Sequence, residues 1–164
     1  MRGGLYLMAY EVFKKNIVEK IKGFFFVGLS GDLTKEYREN YEGKDCFEKS
    51  CQWFVDMKAL NPNDLELIHS LTNLRNNIAH RFLETLVFDK FSNAEKEDVA
   101  TMINLNYKID IWWIRNVGMD IQPEVILNNT ETENMVSTAS NLLRYIYTQC
   151  FNEKEENNVQ ATKT

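Results

Sequence analysis

Four strong hydrogen-bonding side chains lie close together in the segment LRNNIAHRF at residues 74–82. They are Arg75, Asn76, Asn77 and His80, and the chain has only one other histidine. A helix that only packs does not need them. An imidazole can gain or lose a proton near neutral pH, and a guanidinium can hold an anion through paired hydrogen bonds. The segment therefore predicts a polar surface able to bind an anion and to carry out acid–base chemistry.

The helical spacing around this segment places its residues on separate faces. At about 100° per residue, one face within about 40° of Ile78 carries the predicted core stripe: Leu67, Leu71, Leu74, Ile78 and Phe82. The opposite face carries His69, Asn73, Asn76 and His80. Arg75 lies on the flank, about 140° from His80, so the two groups do not meet on one ideal helix. Two copies packed across a twofold axis would bring two arginines and two histidines into one cleft.

Five stretches with helical periodicity must position this surface. They are predicted at residues 5–26, 46–60, 64–88, 92–117 and 131–151, with a polar connector at 32–45 that holds a short helix before Gly43. Asn63 or Asp64 is predicted to cap the third helix after Pro62. The chain has seven Gly and two Pro, too few for the many turns of an all-β fold. The expected fold is all-α, an up-and-down bundle of about five helices in one domain (1–151), followed by a disordered polar tail (152–164).

Composition excludes several other classes of protein. The net charge of −5 argues against a protein that coats nucleic acid nonspecifically, although a local anion site remains compatible with it. The longest uncharged apolar block, at residues 23–31, is too short to cross a bilayer, and the start of the chain lacks a clear signal peptide. The three cysteines match neither a redox pair nor a zinc site and are expected to be free, mostly buried thiols. A cytoplasmic protein without metal or cofactor is expected.

The motif RNNIAH, from Arg75 to His80, resembles that of the HEPN domains. Their mark is an arginine, usually followed by a polar residue, and a histidine four to six positions later on an exposed helix of a small α bundle. Here Asn76 follows the arginine, Ala79 precedes the histidine, and an apolar stripe lies behind them. The local resemblance covers about twenty residues. Elsewhere the chain matches the family only in its helical character.

The resemblance implies a homodimeric, metal-independent endoribonuclease that pairs through the motif helix and often acts as a toxin or in antiphage defence. In such an enzyme the 2′-hydroxyl of RNA attacks the adjacent phosphate, and two copies of His80 would share the roles of base and acid. Arg75 would hold the phosphate, and Asn76 would orient His80 or the phosphate. Asn73, Asn77 and His69 could line the same groove as weaker substrate contacts. DNA lacks the attacking hydroxyl and is expected to survive.

Two alternatives stay open at the level of sequence. Arg75 could instead be a structural cation paired with Glu84 or with a carboxylate on another helix, and the asparagines and His80 could be merely solvated. The chain would then be a catalytically inactive helical module that binds a nucleotide, RNA or a protein. Some HEPN toxins are modified by a nucleotidyltransferase antitoxin on a tyrosine shortly after the histidine, but this chain has Phe82 there. The resemblance implies an antitoxin or nucleotidyltransferase partner, whereas Phe82 argues against neutralisation by modification of a tyrosine.

Overall fold

The structure, a computed structural model, describes residues 2–27, 32–80, 93–117 and 137–151. Within these ranges the chain forms an all-α helical bundle, as the sequence predicts. The elements are α1 (Arg2–Phe24), β1 (Phe26–Val27), β2 (Asp32–Leu33), α2 (Lys35–Asn40), α3 (Cys46–Asp56), α4 (Pro62–His80), α5 (Asn93–Asn116) and α6 (Thr138–Phe151).

The predicted helix bounds agree with the observed ones to within a few residues wherever both can be compared. The first helix ends at Phe24 rather than near 26, and the second ends at Asp56 rather than near 60. The parts of predicted helices at 81–88 and 131–136, the helix start at Ser92 and the tail at 152–164 lie outside the described residues. The predicted short helix before Gly43 is confirmed as α2, and Gly43 follows it with a φ of 113°.

Helix α1 lies at the centre of the bundle, where it contacts α3, α4, α5 and α6. Its buried stripe comprises Tyr6, Tyr10, Phe13, Ile17 and Ile21. The helical spacing of the apolar residues at 5–26 also predicts Met8 in the core, but Met8 is 55% exposed, so that prediction is wrong. The apolar side of this helix is broad, and the neighbouring helices cover the half that carries the tyrosines.

A similar rotation corrects the predicted core stripe of α4. Ile68, Leu71 and Ile78 are buried and Leu74 is half-buried, but Leu67 is 46% exposed. The buried side is therefore turned by about one residue towards Ile68. Helical spacing also predicts that Met57 and Leu142 pack in the core, but both are exposed. Phe82 lies outside the described residues.

The helix directions follow from the side-chain contacts. Phe47 at the start of α3 packs on Tyr10 of α1, and Trp53 near its end packs on Phe24. Helices α1 and α3 therefore run in the same direction, and the intervening hairpin and α2 return the chain. His69 of α4 meets Glu48 near the start of α3. Lys108 in the second half of α5 meets Asp64 at the start of α4, and Asp110 of α5 meets Ser137 just before α6. From α3 onwards the helices therefore alternate in direction. The up-and-down arrangement thus holds for α3 to α6, whereas α1 and α3 are parallel.

The hairpin between α1 and α2 is a feature that the helical periodicity did not predict. Strands β1 and β2 pair antiparallel, with Phe26 opposite Leu33. The chain then enters α2 at Thr34, whose side chain accepts a hydrogen bond from the amide of Tyr37 at 3.2 Å. Two residues per strand are too few to show a period of two in the sequence.

A reciprocal pair of hydrogen bonds starts α4. The Asn61 side chain accepts from the amide of Asp64 at 3.0 Å, and the Asp64 carboxylate accepts from the amide of Asn61 at 3.0 Å. The predicted start near Asp64 is correct to within two residues, since α4 begins at Pro62, but the cap is Asn61 rather than Asn63 or Asp64. Asp64 is the returning partner of this capping box.

Replacing Asn61 with alanine is expected to lower the free energy of unfolding by about 1 kcal/mol, because it removes the helix cap. Asn63→Ala provides the matched control, since Asn63 is exposed in the same turn. It should change the free energy by less than about 0.5 kcal/mol. Urea unfolding of both variants measures the difference, and equal losses would show that the Asn61 cap does not stabilise α4.

A buried polar network joins α1, α5 and α6. Asp110 is 1% exposed and accepts hydrogen bonds from the Ser140 hydroxyl at 2.6 Å and the Ser137 amide at 3.1 Å. Its other oxygen lies 3.1 Å from the Lys20 ammonium. Burial alone would raise the pKa of Asp110, but the hydrogen bonds from Ser140 and Ser137 and the charge of Lys20 outweigh it, so this pKa lies below its ordinary value. Asn106 extends the network by donating to Ser140 at 2.6 Å.

Cys51 is buried, Cys46 is half-buried, and both are free thiols; the side chain of Cys150 is outside the described set. Burial raises the pKa of the Cys51 thiol well above its usual range, with the Glu48 charge adding to the effect. Cys51 is therefore an inert packing residue. None of the helices in the described ranges has the length and apolarity needed to cross a membrane.

Candidate functional site

Helix α4 carries the whole RNNIAH motif, which spans its last two turns. The helix begins at the Asn61 capping box and packs its apolar side on α1 and α3. Asn73, Asn76 and His80 are exposed, as the face analysis predicts, and Asn77 is exposed as well. The helix therefore presents these four side chains outward on a polar surface that we call the motif face, and His80 is its last described residue.

Arg75 is held by two groups from α1. Its Nη2 and Nε atoms both donate to Oε1 of Glu11, at 2.8 and 3.2 Å. Its guanidinium carbon lies 6.0 Å from the centroid of the Tyr10 ring, within the range of a cation–π contact. The side chain is 35% exposed, so one side of the guanidinium faces the solvent.

Tyr10 forms a fixed support for this arginine. The Thr72 hydroxyl donates its hydrogen to the Ile68 carbonyl oxygen at 2.8 Å. The Tyr10 hydroxyl lies 2.8 Å from the Thr72 hydroxyl and must therefore be the donor of the bond between them. Burial raises the pKa of Tyr10, which keeps its hydroxyl protonated. The ring under Arg75 is thus anchored at both its backbone and its hydroxyl.

Asn76 contacts the arginine rather than the histidine in the single chain. Its Oδ1 accepts a hydrogen bond from Nη1 of Arg75 at 3.3 Å. His80 forms no hydrogen bond or ion pair with the described part of the chain. Arg75 and His80 are about 140° apart around the helix and about 7.5 Å apart along it. One chain therefore does not bring the two groups together, as the helical geometry predicts.

His69 lies about three turns from His80 on the same face. Its Nε2 is 2.7 Å from Oε1 of Glu48 on α3, and both side chains are about half exposed. The ring is therefore tied to α3 instead of pointing freely into a groove with His80. Asn73 and Asn77 remain exposed without a described polar partner.

Sequence reasoning did not identify Glu11 and Tyr10 as partners of the motif. Glu11 has the features of a solvated helix residue and is still 51% exposed. It is 64 positions from Arg75, so no local spacing could reveal the pair. The alternative that Arg75 pairs with a carboxylate on another helix agrees with its contact to Glu11. The other candidate partner, Glu84, lies outside the described residues.

In the described ranges, no cluster of three or more His, Cys, Asp or Glu side chains could hold a metal ion. Comparisons with protein-family models, with curated proteins and with solved structures find no match to this chain.

Proposed function

We propose that this protein is a HEPN-type, metal-independent endoribonuclease that acts as a homodimer and serves as a toxin or in antiphage defence. The observation that carries the proposal is the arrangement on α4. A guanidinium fixed by Glu11, Tyr10 and Asn76 lies on the flank of the helix, a turn and a half from an imidazole that is exposed on the outer face.

The chemistry needs no group beyond these side chains. An imidazole removes the proton from the 2′-hydroxyl, the oxygen attacks the adjacent phosphorus, and the bond to the 5′-oxygen breaks. A second imidazole protonates the departing 5′-oxygen, which leaves a 2′,3′-cyclic phosphate and a 5′-hydroxyl. Two copies of His80 supply both imidazoles, and Arg75 offsets the charge that gathers on the phosphate oxygens.

Glu11 does not prevent this role of Arg75. The pair is partly exposed, and exposed ion pairs contribute at most about 1 kcal/mol. A phosphate held by two guanidiniums can therefore displace the carboxylate. Until it does, Glu11 and Asn76 keep the guanidinium in one orientation, which lowers the entropic cost of binding the phosphate.

An RNA oligonucleotide with a single 2′-deoxy substitution tests the proposal. The unmodified RNA should be cut, and the bond after the deoxy position should resist cleavage, because the attacking hydroxyl is absent there. Equal cleavage at that bond would reject 2′-hydroxyl attack. Sedimentation at the assay concentration should show a mass twice that of the chain.

Glu11→Gln is expected to lower KM for RNA severalfold with little change in kcat, because the substituted amide no longer competes with phosphate for Arg75. Its free energy of unfolding should fall by less than about 1 kcal/mol. Steady-state kinetics on a fluorescent RNA substrate measure the first effect. Glu19→Gln is the control, since Glu19 is an exposed residue of the same helix, about two turns from Glu11, and has no described contact with Arg75. An unchanged or higher KM for Glu11→Gln would show that Glu11 does not compete with the phosphate.

The Arg75–Glu11 contact also supports a second function, that of a catalytically inactive helical module. In that case the pair only fixes α4 on α1, and the exposed face of α4 binds a nucleotide, RNA or a protein partner. Purified protein would then leave RNA intact, while Glu11→Gln would change stability alone.

A further inference from the structure

A second polar surface lies at the other end of α4, near its first turn. Two adjoining clefts of about 490 Å³ each share Ala59 and Lys108 in their walls. We call this surface the α5 cationic face and define it by six side chains: Lys58, Tyr107, Lys108, Trp112, Arg115 and Arg144. It begins beside Asp64, about 24 Å of helix from His80, and is therefore separate from the motif face.

Helical spacing places most of these side chains on one strip of α5. Tyr107, Lys108 and Arg115 lie within an arc of about 100°, with Ile111 between them. Trp112 borders the strip, and its ring packs against Trp53 at a centroid distance of 5.8 Å, which fixes its position. Arg144 of α6 lies with its guanidinium carbon 6.0 Å from the Tyr107 ring. The surface thus interleaves cations with aromatic rings.

The charge of this surface is opposite to that of the chain as a whole. Net charge is −5, yet residues 99–116 contain a single acidic residue, the buried Asp110, and residues 138–151 contain none. Lys108 is paired with Asp64 at 2.6 Å. Lys58, Arg115 and Arg144 have no carboxylate partner among the described residues. Three exposed cations that have no carboxylate partner in the described ranges therefore lie around two aromatic rings.

Lys58 provides an independent observation. Its φ of 62° lies in the left-handed region, the only such value for a non-glycine residue in the described ranges. Its amide donates to the Val55 carbonyl at 2.9 Å, which closes the end of α3. Glycine is the residue of lowest strain at such a position, yet this chain places a cation there, directly at the edge of the cleft.

We infer that the α5 cationic face binds single-stranded nucleic acid, with Lys58, Arg115 and Arg144 contacting phosphates and Tyr107 and Trp112 stacking on bases. Proteins bind single strands without sequence preference by combining cationic side chains that contact the phosphates with aromatic rings that stack on the bases. A duplex hides its base faces and fits this surface less well. The binding of a single strand does not depend on the proposed function. The identification of that strand as the RNA substrate does rest on it.

Fluorescence anisotropy tests the inference with a labelled uridine RNA of about twelve nucleotides. The His80→Ala chain is used so that cleavage cannot remove the probe. We expect saturable binding, with the affinity falling steeply as salt rises. The same oligonucleotide annealed to its complement should bind at least about fivefold more weakly, because its bases are already stacked.

Arg115→Glu combined with Arg144→Glu should raise the Kd at least about tenfold and reduce the slope of log K against log salt by about 1.4, since each lost phosphate contact removes about 0.7. Tyr107→Leu should weaken binding about fivefold or more without altering the salt slope. The control is Lys44→Glu with Lys49→Glu, which makes the same charge change on exposed residues outside this face and should leave the Kd within about twofold.

Three results would overturn the inference: no saturable binding to the wild-type surface, equal losses in the control pair, or displacement of RNA by polyglutamate at equal charge. The last result would identify an acidic protein as the partner. If RNA is cut but these variants bind it normally, this surface fails and the proposed nuclease stands. If RNA is bound here but never cut, the proposed nuclease fails and the inference about this surface stands.

Discussion

Replacing His80 with alanine is expected to lower the rate of RNA cleavage by at least about a hundredfold, because both proton transfers lose their catalyst. The fold should be unaffected. His80 is exposed at the end of α4 and forms no described hydrogen bond, so its removal leaves no buried group without a partner. Initial rates on a fluorescent RNA substrate, together with urea unfolding, measure both effects.

Ser70→Ala is the matched control for this variant, since Ser70 is an exposed residue of the same helix. It should keep full activity. The His80→Ala chain should still form a dimer and bind RNA with unchanged affinity, so that the loss falls on kcat. Cleavage that persists within a few-fold of the wild-type rate would reject the role assigned to His80 and favour a contaminating nuclease or another catalytic group.

Asp110→Ala is expected to have the largest effect on stability, a loss of about 3 kcal/mol or more in the free energy of unfolding. The substitution removes the acceptor for Ser140 and Ser137 and leaves the Lys20 ammonium, 15% exposed, without its counterion. Urea unfolding measures the loss. Asp98→Asn on the same helix is the control, because burial, and secondarily Glu97, raises the pKa of Asp98 and disfavours its charge in the folded chain. That change should be neutral or slightly stabilising.

The contribution of Asp110 also sets a pH dependence. Its pKa is lower in the folded chain than in the unfolded chain, so the stabilisation is complete above the unfolded pKa of about 3.9. It is lost as pH falls from there through the folded pKa. The difference in unfolding free energy between wild type and Asp110→Asn should therefore be constant from about pH 5 to 7 and shrink below about pH 4. A difference that grows on acidification would contradict this assignment.

Local patterns were sufficient to predict the helices and the exposed motif face. Periodicity located the long helices within a few residues wherever the predicted bounds fall on described residues, and Pro62 marked the start of α4. The spacing of Arg75 and His80 correctly predicted that one chain keeps them apart. These features depend only on residues within a few turns of one another, where helical geometry fixes their relative positions.

Features that depend on which helices become neighbours could not be predicted from local patterns. Met8 and Leu67 belong to apolar sides that are broader than the surface their neighbours cover, so periodicity could not show which edge remains exposed. Arg75 pairs with Glu11 and Asp110 pairs with Lys20, and both partners lie on α1, far away in the sequence. In the sequence, Asp110 appeared only as a polar residue within an apolar helix.

The most direct test of the central proposal is incubation of the purified protein with RNA in the presence of excess chelator, followed by analysis of the fragment ends. We expect cleavage to continue, and each cut to leave a 2′,3′-cyclic phosphate on the upstream fragment and a 5′-hydroxyl on the downstream fragment. Intact RNA, or cleavage that needs a divalent cation and leaves 3′-hydroxyl ends, would contradict the proposal.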